Sequence, residues 1–179
     1  MKFAFSSIAA LTVAAAAALP AVSHAADGTI TITGKIGTRT CTIDGNGQGK
    51  DFTVTLPKVS TSALSSGGMT AGRTPFTIGL KDCSPATGNV YTHFEPGATV
   101  NSTTGQLINA GGATNVEVGL LNGADYSNIR LGKADENSKA VALSNGAATL
   151  PYYAQYVAMG NAATQGTVNT SVTYSIMYQ

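Results

Sequence analysis

The chain is predicted to fold as an all-β sandwich or barrel. Three observations predict it. Short runs such as "DFTVTLP", "TPFTIGLKDC" and "TNVEVGLLN" alternate apolar and polar residues with a period of two. Clusters of Gly, Asn, Ser and Pro separate these runs at fairly regular intervals. After residue 25 no stretch carries the apolar repeat of an amphipathic helix. Strands of this kind bury one face and leave the other wet, which is how antiparallel sheets are built.

Residues 1–25 stand apart. A single lysine, an alanine-rich apolar run, a proline and the ending Ser23-His24-Ala25 make up a cleavable secretory signal, so this segment is excluded from the fold. Removing it leaves 26–179, one domain's worth of chain with nine basic and nine acidic residues. That balance favours neither nucleic acid nor an anionic membrane surface. Charged residues are 11% of the chain, so little repulsion opposes association, which suits a protein that assembles.

The first element is "TITITGKI" (29–36). Ile30, Ile32, Gly34 and Ile36 share one side of an extended strand; Thr29, Thr31, Thr33 and Lys35 share the other. "GTRTCTID" (37–44) is the next predicted strand, ended by the turn residues "GNGQG". "DFTVTLP" (51–57) follows, with Phe52, Val54 and Leu56 on one face; 60–68 is a loop with room for one helical turn. "TPFTIGLKDC" (74–83), "NVYTHFEP" (89–96) and "TNVEVGLLN" (114–122) are strands, and "NIRLGK" (128–133) a short edge piece. "TLPYYAQYVAMG" (149–160) is the longest apolar run, and "TVNTSVTYSIMYQ" (167–179) closes the chain. The Gly/Ser/Asn stretches at 45–49, 65–72 and 101–114 read as surface loops.

Cys41 and Cys83, in an exported chain, read as one disulfide closing a 42-residue loop. The chain-entropy model values such a closure at roughly 4 kcal/mol.

Other motifs carry little chemistry. "GNGQGKD" (45–51) has three residues between Gly45 and Gly49 where a phosphate loop needs four, and Asp51 stands where Ser or Thr would hold magnesium; a hairpin turn is the better reading. His93 and Glu95 share a strand face, but no G-x-S-x-G elbow and no second histidine after the signal accompany them, so no enzyme is expected. No ligand spacing supports a metal, and no cofactor is expected. The sequons at Asn101 and Asn169 matter only in a host that glycosylates.

The assembled pattern resembles the pilins of chaperone–usher fimbriae, most closely the major subunits of type 1-like pili. The resemblance spans essentially all of 26–179. It rests on the alternating leader with Gly34 in its stripe and Cys41 seven residues on, and on "FTIGLKDC" with the second cysteine. It rests also on "NVEVGLLN", on "LPYYAQYVAMGNAATQG", and on "VTYSIMYQ" with its penultimate Tyr178. Gly166 stands fourteenth from the C-terminus, where that family favours glycine. The glycine-rich "GNGQGKDF" and "NAGGATN" depart from the pattern and leave the contacts between subunits in a rod open.

The resemblance implies an incomplete immunoglobulin-like β-sandwich lacking its final strand, completed in trans by a donor strand. Residues 26–36 would be the donor extension, with Ile30, Ile32, Gly34 and Ile36 as its apolar stripe, and 37–179 the pilin domain. The groove strand would carry Gly166, Val172, Tyr174, Ile176 and Tyr178. A periplasmic chaperone would lend its strand to that groove and hold the Gln179 carboxylate with basic residues. At an outer-membrane usher the leader of another copy would replace it, giving a head-to-tail polymer exported through the periplasm to the cell surface. A minor or adaptor pilin is the alternative within the class. A monomeric secreted carbohydrate-binding sandwich, with Tyr152, Tyr153 and Tyr156 as its aromatic platform, is the alternative outside it.

Overall fold

The structure, a computed structural model, describes residues 31–33 and 40–179. The chain divides into two units, Met1–Ile36 and Gly37–Gln179. The predicted signal segment, Ile30, Gly34 and Ile36 lie outside the described residues; Ile32, which lies within them, is 90% exposed.

All strands described belong to the second unit. They are β1 (Thr40–Gly45), β2 (Thr70–Ser84), β3 (Asn89–Phe94), β4 (Val100–Asn101), β5 (Gln106–Ile108), β6 (Val116–Asn122), β7 (Asn128–Ile129), β8 (Val141–Ala142), β9 (Ala148–Ala158) and β10 (Tyr174–Tyr178). One sheet runs β1-β2-β9-β6-β5-β4, with β7 also on β6; a second, smaller sheet runs β10-β3-β8. Every pairing is antiparallel.

The alternation in β2 decides what faces inward. Phe76, Ile78 and Leu80 enter the core, while Arg73, Pro75 and Lys81 stay exposed. β9 lies between β2 and β6 and contributes Leu150, Tyr152 and Ala154 to the same core. Every residue of β6 is buried, on both faces. On the outer face this includes a carboxylate, Glu117, which is satisfied by donation from the Asn101 amide and the Thr104 hydroxyl, each at 2.7 Å. From the smaller sheet, Val90 and Phe94 complete the core. Cys41 and Cys83 are joined, fastening β1 to the end of β2.

Several expectations meet the structure with a difference. The predicted strand at 51–57 is extended and alternates in burial, yet it pairs with no strand among the described residues. The C-terminal run behaves alike: 167–173 is extended without a ladder, and pairing begins at Tyr174. "GNGQG" is a tight turn, with the Gln48 N–H donating to the Gly45 carbonyl at 2.8 Å, but the chain beyond it does not pair back on β1. It is a turn without a hairpin. The loop at 60–68 does hold one short 3-10 turn, Thr61–Leu64, capped by the Ser60 hydroxyl. β4, β5 and β8, of two or three residues each, were not foreseen.

His93, the one histidine beyond the signal segment, is fastened to the 131–140 connection. Its Nδ1 lies 2.5 Å from Oε2 of buried Glu136, whose Oε1 accepts the Phe94 N–H at 2.9 Å. Glu95 lies 3.6 Å from the other ring nitrogen and accepts from the Ser175 hydroxyl at 2.6 Å. His93 thus faces two carboxylates rather than a nucleophile, and its partners tie β3 to β10 and to the connection before β8. Glu136→Ala leaves the buried Phe94 N–H without its acceptor. It should lower stability by about 1–3 kcal/mol, read as a shifted urea midpoint at unchanged slope.

Candidate functional site: an apolar groove beside the C-terminal strand

β10 pairs with β3 in the register Tyr174↔Phe94, Ile176↔Thr92 and Tyr178↔Val90. Its other edge has no neighbouring strand among the described residues. Val168, Val172, Tyr174, Ile176 and Tyr178 form one half-buried row packed on the core, and Met177 points outward. Gln179 is exposed, and its backbone exchanges hydrogen bonds with that of Asn89.

The extended segment 51–59 forms a second bank. Phe52, Val54 and Leu56 pack against the core while Asp51, Thr53 and Thr55 stay exposed. The banks run in opposite directions. Lys50 and Asp51 lie by Tyr174 at one end of a cavity of about 570 Å3. At the other end Lys58 and Val59 meet Gly166 and Val168 around a smaller cavity of about 160 Å3, whose wall includes Leu64, Val116 and Ala163. Leu56, between Val54 and Lys58 in sequence, lines neither cavity. The floor of the larger one is the inner face of the opposite sheet: Phe76, Ile78, Val118, Leu120 and Ala154.

What holds 164–169 straight is not a strand but the glycine-rich loop 109–114. The Ala113 N–H donates to the Thr167 carbonyl at 3.0 Å and the Ala110 N–H to the Asn169 carbonyl at 2.8 Å. The Asn169 N–H donates to the Asn109 side-chain oxygen at 2.8 Å, and the Thr114 N–H to the Thr164 hydroxyl at 2.8 Å. The approach is so close that a Cβ on Gly166 would stand 2.3 Å from the Ala113 nitrogen. That backbone contact is the physical reason for a glycine at this position.

At the other end the banks touch. The Tyr174 hydroxyl donates to the Lys50 carbonyl at 2.7 Å. Burial, with Asp51 close by, pushes this hydroxyl above its ordinary range. The Phe52 ring meets Tyr174 edge-on at 6.2 Å and Phe76 at 6.0 Å.

The groove-row residues singled out from sequence, Val172, Tyr174, Ile176 and Tyr178, therefore lie on one face, with Gly166 at the end of that row. The sequence reading missed the second bank as a bank, the bracing by Asn109–Thr114, and the Tyr174–Lys50 bond. Only the alternation of "DFTVTLP" signalled any of these. The three tyrosines proposed as a sugar platform separate. Tyr152 is buried between Phe76 and Phe94, Tyr156 turns toward the smaller cavity, and Tyr153 lies outside against Tyr126.

A sandwich with an uncovered strip of core along its last strand is the architecture of a subunit finished by another strand. Comparison with known proteins agrees. The family Type-1 fimbrial protein, A, matches residues 56–179. The chain is 48% identical over 171 residues to the major fimbrial subunit SMF-1 of Stenotrophomonas maltophilia, covering 90% of this chain and 98% of that one. It is 44% identical over 172 residues to the F17 fimbrial protein of Escherichia coli, covering 92% and 94%. Among solved structures it superposes on the P pilus rod subunit PapA with a TM-score of 0.57 at 22% identity, over 84% of this chain and 100% of that one. The chain belongs to the type-1 fimbrial protein family. It is a structural protein of a surface appendage, in a family that polymerises into pili, and not an enzyme. No helix among the described residues is long and apolar enough to cross a membrane.

Gly166→Ala should force 164–169 away from loop 109–114. We expect a loss of about 1–3 kcal/mol by chemical denaturation, the usual range for an overpacked site.

Proposed function

We propose that this chain is a shaft subunit that polymerises by donor-strand exchange, the groove beside β10 receiving residues 26–36 of another copy. The observation that carries the reading is an apolar groove between two antiparallel banks that face each other over nine positions, 50–58 against 166–174. Nine residues of strand span about 26–30 Å. The leader from Gly28 to Ile36 is also nine residues.

Volume favours one direction. Running antiparallel to β10, the leader puts Ile36 in the smaller cavity, Gly34 over the stretch around Leu56 that opens no cavity, and Ile32 and Ile30 in the larger. Running parallel, it would set Ile32 on that stretch and leave Gly34 in the largest space. Each buried isoleucine contributes about 1.5–3 kcal/mol, and the new ladder satisfies both bank edges. Donation is heterologous and need not close into a ring, so it propagates as a fibre.

An export route follows from the same chemistry. The signal segment 1–25 directs the chain to the periplasm. There a chaperone covers the groove with its own strand and holds the exposed Gln179 carboxylate, until the usher exchanges that strand for a leader. The name of the 48% identical relative, a major fimbrial subunit, supports a shaft rather than a minor role.

The test uses the oxidised chain lacking residues 26–36, unfolded thermally with and without a peptide of residues 26–40. A saturable rise in Tm with this peptide is expected, and none with a peptide carrying Ile32→Asp and Gly34→Arg. A chain already stable alone and indifferent to both peptides would mean that the sandwich is complete, and would return the reading to a secreted binding module.

A further inference from the structure

The two ends of the groove differ. Both ends of the groove adjoin a cavity, and the end near Tyr174 is also crossed by a hydrogen bond between residues 124 positions apart, Tyr174 Oη to the Lys50 carbonyl at 2.7 Å. The crossing is supported from below. Phe52 sits edge-on to the Tyr174 ring and is packed directly on the preceding turn, where a Cβ on Gly45 would lie 2.0 Å from the Phe52 ring. The far bank is thereby fixed to β1 through its own aromatic residue, and β10 is fixed to the far bank through Tyr174. This rests on the donor-strand reading above. In the antiparallel register, residues two apart in the leader advance two positions along the bank. With Ile36 at the level of Gly166, Gly34 falls by Val168 and Leu56, Ile32 by Thr170, Ile30 by Val172 and Gly28 by Tyr174. The bond crosses the slot just beyond Ile30, at the level where Gly28 must seat.

We propose that the Tyr174–Lys50 bond is a clasp. In the uncomplemented subunit it bars the β10 end of the groove. It must open before an incoming leader seats beyond Ile30, so Tyr174 is a positioning residue for the last stage of strand entry. The acceptor is a backbone carbonyl, so the clasp survives any substitution of the Lys50 side chain and is removed only through the tyrosine hydroxyl. Tyr174→Phe keeps the ring and its contact with Phe52 while removing the donor.

The experiment compares the chain of residues 26–179 with its Tyr174→Phe variant, both dilute enough to remain unassembled. Association of two labelled peptides is followed by fluorescence anisotropy: residues 26–40, which reach the clasp, and residues 31–40, which stop short of it. Tyr174→Phe should accelerate the longer peptide about three- to tenfold, the factor carried by one ordinary hydrogen bond, and leave the shorter one unchanged. Equal rates for the longer peptide on both proteins would overturn the clasp. So would equal acceleration of both peptides, which marks a general loosening of the groove. If neither peptide binds the unaltered chain, the donor-strand reading itself fails, an outcome distinct from either of these.

Discussion

An apolar sheet face cannot be left beside an unpaired strand edge without consequence, and the rest of this molecule is arranged around that constraint. Five strands of the larger sheet aim side chains at a strip that the smaller sheet does not cover. The strip is not a surface patch. Ile78, on its floor, is fully buried and Leu120 nearly so. Folded interiors rarely leave voids larger than a water molecule, and a cavity of about 570 Å3 far exceeds that. A strand placed there completes a core rather than adding an interface, so it gains both the ladder and the packing. The same geometry makes the bare subunit an aggregation hazard, because its open edge accepts any extended chain.

Keeping such a groove open requires substitutes for the absent neighbour. At one end loop 109–114 supplies them, its N–H groups and the Asn109 side chain meeting the backbone of 164–169 as a strand would. A loop can approach this closely only where side chains are missing, which accounts for glycine at 111 and 166 together: each would drive a Cβ into the other segment's backbone. At the other end the banks hold each other through Tyr174 and Lys50. Between these supports the extended segments keep their inward rows aligned without a ladder.

The long runs of β2 and β9 were legible because burial of one sheet face imposes a period of two over many residues, whereas β6, buried on both faces, was marked by Val116, Val118 and Leu120 alone. β4, β5 and β8 are too short for any period to register. The segments 51–57 and 167–173 show the limit most plainly. Their alternation is as clean as that of β2, and it reports correctly which side chains turn inward. Alternation follows from burial, however, and says nothing about whether the backbone edge has a partner. A missing strand is therefore invisible to periodicity; it was the resemblance to a known family that suggested it. The aromatic run at 149–160 misled for a related reason. Tyr152, Tyr153 and Tyr156 look like one cluster in sequence, but the pleat sends Tyr153 to the opposite face from the other two.

The asymmetry of the groove gives strand entry a direction. In the proposed entry Ile36 would meet an open cavity, Gly34 a stretch that opens none, and Ile32 and Ile30 a roomy floor; Gly28 would arrive at a bond that has to break. Each residue seated brings the following part of the leader closer to the backbone groups it will pair with, so the cost of opening the clasp falls after most of the ladder has formed. A strand that fits only near the Gly166 end gains too little to break the bond and leaves again. A leader with isoleucine at both 30 and 32 gains enough. Discrimination between full and partial matches then needs no contact beyond the groove: it follows from placing the one polar crossing at the far end of an otherwise apolar path.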